Sequence, residues 1–244
     1  RSLRALPADP ERPRQERPRG SILAGLSLVL RSRSLQAICA FLMIYTLNKT
    51  FLYFAQANIV AVEAIERAAR AQLFARIEVW VQTTTLITQL TLTGRIMRRV
   101  GSGPLLAALP LVTAAGFLVL GLAPGLGVLI GVLVVTRPLN YAFTKPARES
   151  LYTPLGPDAQ YRAKSFIDTF VYRGGDAIGA GVYDVLTSGA GLGLASVASV
   201  AVPICLVWAL VGVHLGRRQR ALAAGEPTRD PAAEPPAAAL NGSS

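Results

Sequence analysis

Residues 104–123 read PLLAALPLVTAAGFLVLGLA, and this stretch decides the class of fold. Thr113 is its only polar side chain, and it contains no charged residue. About 20 apolar residues in a helix cross the roughly 30 Å hydrocarbon core of a bilayer. Within lipid, a helix also satisfies the polar groups of its own backbone. The stretch therefore predicts a transmembrane helix.

Stretches of similar length and character lie on both sides of it. These runs cover residues 35–59, 77–96, 126–143, 165–186 and 192–215. Together with 104–123 they predict an all-α membrane protein whose six transmembrane helices occupy residues 35–216. The runs at 77–96 and 165–186 contain many polar side chains, so we expect neighbouring helices to shield them from lipid.

The two ends of the chain differ from these runs in composition. Residues 1–20 are rich in Pro and Arg, and residues 217–244 are rich in Ala, Pro, Gly and Ser. Such segments cannot bury enough apolar surface to fold, so we expect a disordered cytoplasmic linker and a disordered cytoplasmic tail. Residues 21–34 contain a short apolar stretch followed by two arginines, which predicts an amphipathic helix at the membrane interface.

The distribution of basic residues indicates how the six helices are oriented. Lys and Arg are concentrated in residues 1–34, 95–99, 145–164 and 217–229, whereas the alternate connections carry few of them. Loops on the cytoplasmic side of a membrane carry an excess of Lys and Arg. The sequence therefore predicts that both termini are cytoplasmic and that the protein resides in the inner (plasma) membrane.

The composition argues against several other classes of protein. Hydrophobic residues make up 52% of the chain and charged residues 16%, with a formal net charge of +11. Because many arginines flank apolar runs, we assign this charge to the membrane surface and expect no nucleic-acid partner. Cys39 and Cys205 lie far apart within apolar runs, and His214 is the single histidine. We therefore expect no catalytic residues, no metal site, no cofactor and no enzymatic activity.

The six predicted helices differ in how many polar side chains they carry. The third and sixth runs are almost wholly apolar, while the other four contain charged residues or rows of Thr and Gln. A charge near the middle of the bilayer costs at least about 2.5–3.5 kcal/mol unless it faces protein or water. We therefore expect the four polar helices to surround an aqueous cavity and the apolar pair to form the outer wall.

This plan resembles one half of the major facilitator superfamily, in which the third and sixth helices of each six-helix half lie outside. The loop at 93–101, TGRIMRRVG, is similar to the short basic loop between that superfamily's second and third helices. Residues 145–154, KPARESLYTP, and 161–176, YRAKSFIDTFVYRGGD, resemble the C-terminal segment of the ATP/ADP translocase (nucleotide antiporter) family and its bacterial relatives. The resemblance implies nucleotide exchange by a twelve-helix protein, with Lys164, Arg173 and Asp176 as the matching residues.

Charged and amide side chains within the polar runs are the candidates for binding an anionic solute. The set consists of Lys49, Arg137, Asn140, Lys164, Asp168, Arg173 and Asp176. Arg binds phosphate or carboxylate through its planar fork, and Lys49 lies too far from either end of its helix to reach the interface.

Helical spacing leaves a structural alternative open for these charges. Lys164 and Asp168 are four residues apart, and Arg173 and Asp176 are three apart, so each pair can neutralise itself on one face of a helix. We expect Arg137 to find its partner among the aspartates of the run at 165–186.

Two functions from different classes follow from these observations. The first is the C-terminal half of a secondary active transporter, which moves an anionic small solute such as a nucleotide by alternating access. Its expected partners are the solute, the lipid bilayer and an N-terminal six-helix half preceding Arg1, so that this chain would be a fragment. The second is a non-transporting membrane scaffold or signalling protein whose intramembrane charges are structural.

Overall fold

A computed structural model describes residues 22–62, 67–153, 155–189 and 193–224 of the chain. Nearly all of these residues are helical, and no strand occurs among them. The predicted all-α class is therefore confirmed. The predicted linker at 1–20 and residues 225–244 of the predicted tail lie outside the described residues.

Short π-helical turns join several of the α-helices into longer rods. The α-helices of the described residues are α1 (Ile22–Arg31), α2 (Arg33–Val62), α3 (Arg67–Thr88), α4 (Gly94–Val100), α5 (Ser102–Leu122), α6 (Leu126–Leu139), α7 (Lys145–Glu149), α8 (Pro157–Phe166), α9 (Tyr172–Asp184) and α10 (Leu194–Ala223). The π-helical turns Gln89–Thr93, Asn140–Thr144 and Ile167–Val171 connect α3 to α4, α6 to α7 and α8 to α9. A 3-10 turn, Ser150–Tyr152, follows α7, and a further π-helical turn, Val185–Gly189, follows α9.

Four helical segments of the described residues are long and apolar enough to cross a membrane. They are Arg33–Ala61, Ser102–Leu122, Leu126–Tyr152 and Leu194–Ala221, and they coincide with the first, third, fourth and sixth predicted runs. The second and fifth runs are helical as well, in α3–α4 and α8–α9, but they are less apolar. The chain is thus a helical protein with the character of a membrane protein, and the count of six spans stays a prediction.

The first and last helices correspond to two segments that the sequence placed outside the six runs. α1 packs along α8 so closely that a Cβ atom added at Gly25 would lie 2.7 Å from the carbonyl oxygen of Arg162. The buried Ser32 separates α1 from α2, and its Oγ accepts a hydrogen bond from the Leu35 amide at 3.3 Å. α10 continues through Ala223, so the first residues of the predicted tail are helical rather than disordered. Arginines near the end of a helix favour it through the helix dipole.

Small residues determine which helices pack together. α5 packs against α10 with backbone contact between Gly103 and Gly216. α2 packs against α9, where Gly175 faces the side chain of Thr46 and a Cβ atom at Gly179 would lie 3.2 Å from Leu47 Cα. α3 packs mainly against α6. Glycine allows such close approach because it has no side chain to separate the two backbones.

The apolar helices α5 and α10 are neighbours, and each has one exposed and one buried face. Leu118 and Leu122 of α5, and Leu206 and Leu210 of α10, are exposed, as expected for an outer wall. Trp208 of α10 is nevertheless only 1% exposed and belongs to the core. The inner face of α10 packs against α2.

Candidate functional site

A cavity of about 310 Å³ lies between α2, α5, α6 and α10. Half of the fourteen residues that line it are apolar or aromatic, and most of the polar ones belong to α2 and to the rod that contains α6. The polar and charged residues of the lining are Asn48, Lys49, Gln56, Thr113, Thr136, Arg137 and Asn140. Ligand sites in proteins have this character, since a few placed polar groups orient a ligand within an apolar wall. We call it the central cavity.

Lys49 is one of two cations of the central cavity, and its partner comes from α9. Its Nζ lies 3.6 Å from Asp176 Oδ1, and both side chains are about half exposed. Thr50 also donates a hydrogen bond from its Oγ1 to Asp176 Oδ1 at 3.0 Å. The pairing of Arg173 with Asp176 that helical spacing allows is not observed. The glycines of α9 instead bring α2 close enough for Lys49 to reach this carboxylate.

Arg137 is the second cation, and its partner lies on α3. Its Nη1 donates to Glu78 Oε2 at 2.7 Å, and Gln82 Nε2 donates to the other carboxylate oxygen of Glu78 at 2.7 Å. The expectation of an aspartate partner from the run at 165–186 is therefore wrong. α6 packs on α3 through the buried cluster that contains Val81 and Leu133, and this contact places Glu78 beside Arg137.

The ion pair between Arg137 and Glu78 is expected to be weak. Its side chains are 35% and 50% exposed, and exposed pairs contribute about 0.2–1 kcal/mol. We expect a double-mutant cycle of Arg137→Gln and Glu78→Gln, measured by unfolding in detergent, to give a coupling energy in this range. The exposed pair of Arg162 and Asp158 is the matched control. A coupling above about 2 kcal/mol would instead indicate a structural bridge.

A second cavity, of about 430 Å³, adjoins the central cavity and is more strongly charged. The two share Tyr45, Lys49, Asn140 and Tyr141. Asn140 Nδ2 donates to Tyr45 Oη at 3.0 Å, which fixes the boundary between them. The other residues lining this second cavity are Lys145, Arg148, Glu149, Lys164, Asp168 and Tyr172. We call it the charged cavity.

Lys164 is held in the charged cavity by a residue of α7. Its Nζ lies 2.6 Å from Glu149 Oε2, and Arg148 contacts both Glu149, at 3.4 Å, and the hydroxyl of Tyr172. The pair of Lys164 with Asp168 that helical spacing allows is not observed. Lys164 and Glu149 instead form a charge bridge between the neighbouring helices α7 and α8.

The structure brings most of the predicted residues together, with one exception. Lys49, Arg137 and Asn140 line the central cavity, Lys164 and Asp168 line the charged cavity, and Asp176 reaches them through Lys49. The exception is Arg173, which is exposed and lines neither cavity. Within the described residues, neither Asp168 nor Arg173 forms an ion pair.

Three residues at or beside the two cavities were not among the residues predicted from the sequence. Glu78 carries a signal, because an acid one residue into a polar run needs a cation nearby. Arg148 lies within the motif KPARESLYTP but beyond the end of the run at 126–143. Trp208 gives no signal in an apolar run, yet its ring lies 5.4 Å from that of Phe41 and 5.8 Å from that of Tyr45, measured between centroids.

Neither a metal centre nor a known relative accounts for this site. Among the residues that the structure describes, no three His, Cys, Asp or Glu side chains are grouped so that they could hold a metal ion. The chain matches no family model, and comparison with curated proteins and with solved structures finds no match either.

Proposed function

We propose that this chain forms a six-helix half of a secondary active transporter, which binds an anionic small solute between Lys49 and Arg137 and moves it by alternating access. In this proposal α3–α4 and α8–α9 span the membrane together with the four apolar helices. Both termini are cytoplasmic, and the protein resides in the inner (plasma) membrane.

The observation that carries the proposal is that two cations line one cavity and each is paired with a carboxylate from another helix. Lys49 faces Asp176 of α9, and Arg137 faces Glu78 of α3. All four side chains are about one third to one half exposed, so neither pair is deeply buried. Such pairs are weak, and an incoming anion can replace either carboxylate without leaving a cation unpaired. The exchange would also release helices that the pairs hold together.

The exposed surfaces of α3 and α9 support a second six-helix half. α3 exposes Gln82 and Thr83 beside Trp80, which is 65% exposed. The rod that contains α9 exposes Asp168 and Arg173. Polar and charged side chains facing lipid are costly, so these surfaces require cover by protein or water. A second six-helix half would cover part of these surfaces with protein and enclose the rest in a water-filled path across the membrane.

The charge of the second cavity supports an anion with more than one negative charge. Four basic residues line the charged cavity, namely Lys49, Lys145, Arg148 and Lys164, against the two acidic residues Glu149 and Asp168. Arg and Lys are the residues that bind phosphate groups. The resemblance to nucleotide antiporters makes nucleotides the first solutes to test.

A membrane scaffold remains the second candidate, on the evidence of one contact. Lys164 and Glu149 bridge α7 and α8 at 2.6 Å, and such a bridge stabilises a bundle without any transport. This contact lies at one end of the charged cavity. A scaffold function supported by this contact would not explain why two paired cations line the central cavity.

Counterflow in vesicles tests the proposal directly. The full-length protein would be reconstituted into liposomes loaded with unlabelled ADP, orthophosphate or succinate, and entry of the labelled form of the same anion would be measured. We expect at least one anion to accumulate transiently above its level in protein-free liposomes. Counterflow of orthophosphate or succinate alone would contradict nucleotide exchange, and absence of counterflow with every anion would favour the scaffold.

A further inference from the structure

Two groups of arginines that are far apart in sequence lie at the same end of the bundle. The first group, Arg95, Arg98 and Arg99, belongs to α4, and the second, Arg217 and Arg220, belongs to the last turns of α10. Directly after α4, Gly103 makes backbone contact with Gly216, the residue before Arg217. The Ser102 hydroxyl also hydrogen-bonds the side-chain oxygen of Gln219. We call these five arginines the arginine seam.

The arginine seam concentrates positive charge without a matching acid. All five side chains are exposed, and within the described residues none of them forms an ion pair with a carboxylate. Arg95 is three and four residues from Arg98 and Arg99, a spacing at which like charges on a helix repel. An anion bound beside these side chains would relieve that repulsion.

An exposed apolar surface belongs to the same helices. Val100, at the end of α4, is 42% exposed, and the α5–α10 pair exposes Leu111, Leu118, Leu206, Val207 and Leu210. Both α5 and α10 are long and apolar enough to cross a membrane. A basic cluster at the end of an apolar helical wall matches a molecule with an anionic head and apolar tails.

We propose that the arginine seam is a binding site for the headgroup of an anionic phospholipid whose acyl chains lie along α5 and α10. The guanidinium groups bind the phosphate by charge-assisted, bidentate hydrogen bonds. A soluble phosphate would gain these bonds, but it would gain nothing from the exposed apolar wall. The site is separate from the central and charged cavities, so the inference does not depend on the proposed transport.

Lipid binding to the purified full-length chain in neutral detergent tests the inference by native mass spectrometry. The probes are phosphatidylglycerol and phosphatidylcholine with the same acyl chains. We expect phosphatidylglycerol to bind about tenfold or more tightly, given roughly a fivefold gain for each basic residue near an anionic headgroup. The double variants R98Q/R99Q and R217Q/R220Q should each weaken its binding about tenfold or more.

The control variant R31Q/R33Q removes the same charge from another exposed pair of arginines and should change binding less than about twofold. An equal loss in R31Q/R33Q would overturn the inference, because it would indicate general attraction by net charge. Equal binding of the two lipids, or displacement of phosphatidylglycerol by equimolar inorganic phosphate, would also overturn it. If a glutamine variant lacks helical circular dichroism, the preference of the wild-type chain between the two lipids decides the matter.

Discussion

Replacing Lys49 with Gln is expected to lower anion counterflow at low solute concentration about 10- to 150-fold, the range for losing a charge-assisted hydrogen bond in a binding site. Lys49 lines both the central and the charged cavity, and it is the only cation among the described residues to do so. A solute that passes between the two cavities therefore meets this ammonium group. The measurement is the initial rate of counterflow in liposomes with equal amounts of protein.

The substitution Asp176→Asn separates a binding role for Lys49 from a structural one. If Asp176 competes with the solute for Lys49, its removal should tighten anion binding by up to about fivefold, as expected for loss of a weak, half-exposed pair. If the pair only holds α2 to α9, both substitutions should lower stability and transport together. Arg76→Gln, which removes an exposed charge of α3 away from both cavities, is the control and should transport normally.

Replacing Gly216 with Ala is expected to destabilise the protein by about 1–3 kcal/mol, the usual cost of overpacking a tight contact. A Cβ atom at this position would overlap the backbone of Gly103, which cannot move aside as the end of a flexible side chain could. The two apolar helices α5 and α10 would have to separate along their length. Unfolding in detergent, followed by circular dichroism, measures the change.

Gly131→Ala is the matched control, and its effect should differ in sign. Gly131 also lies within a helix, α6, but a Cβ atom there would meet nothing within 4 Å. Alanine favours helices over glycine by up to about 1 kcal/mol, so this variant should be neutral or slightly more stable. Equal destabilisation by both substitutions would show that the contact between Gly103 and Gly216 does not hold the helices together.

The amino-acid sequence was sufficient for the helical class and for the positions of the most apolar helices. Hydropathy over about 20 residues is a local property, and a run such as 104–123 needs no distant contact to be recognised. The lower hydropathy of the second and fifth runs is also visible in the sequence, because these runs contain many polar residues. For this reason α3–α4 and α8–α9 are less apolar than the four helical segments that can cross a membrane.

Several residues that line the two cavities could also be anticipated from the sequence, because charges within apolar runs are rare and need partners. Lys49, Arg137 and Asn140 line one cavity as expected. Arg173 does not, although it carried the same signal. A charged residue within an apolar run needs water or an ion-pair partner. Its position in the run does not reveal which side of the bundle its side chain faces.

The sequence by itself determined that this chain is a helical protein of membrane character with charged residues inside its apolar runs. Tertiary structure alone decided which charges meet, since Arg137 pairs with Glu78, Asp176 with Lys49 and Lys164 with Glu149. The reason is that pairing depends on which helices pack together, and small residues such as Gly175 and Gly216 decide this by contacts with distant segments. Spacing along one helix predicts only local partners, and here the closer carboxylates came from other helices.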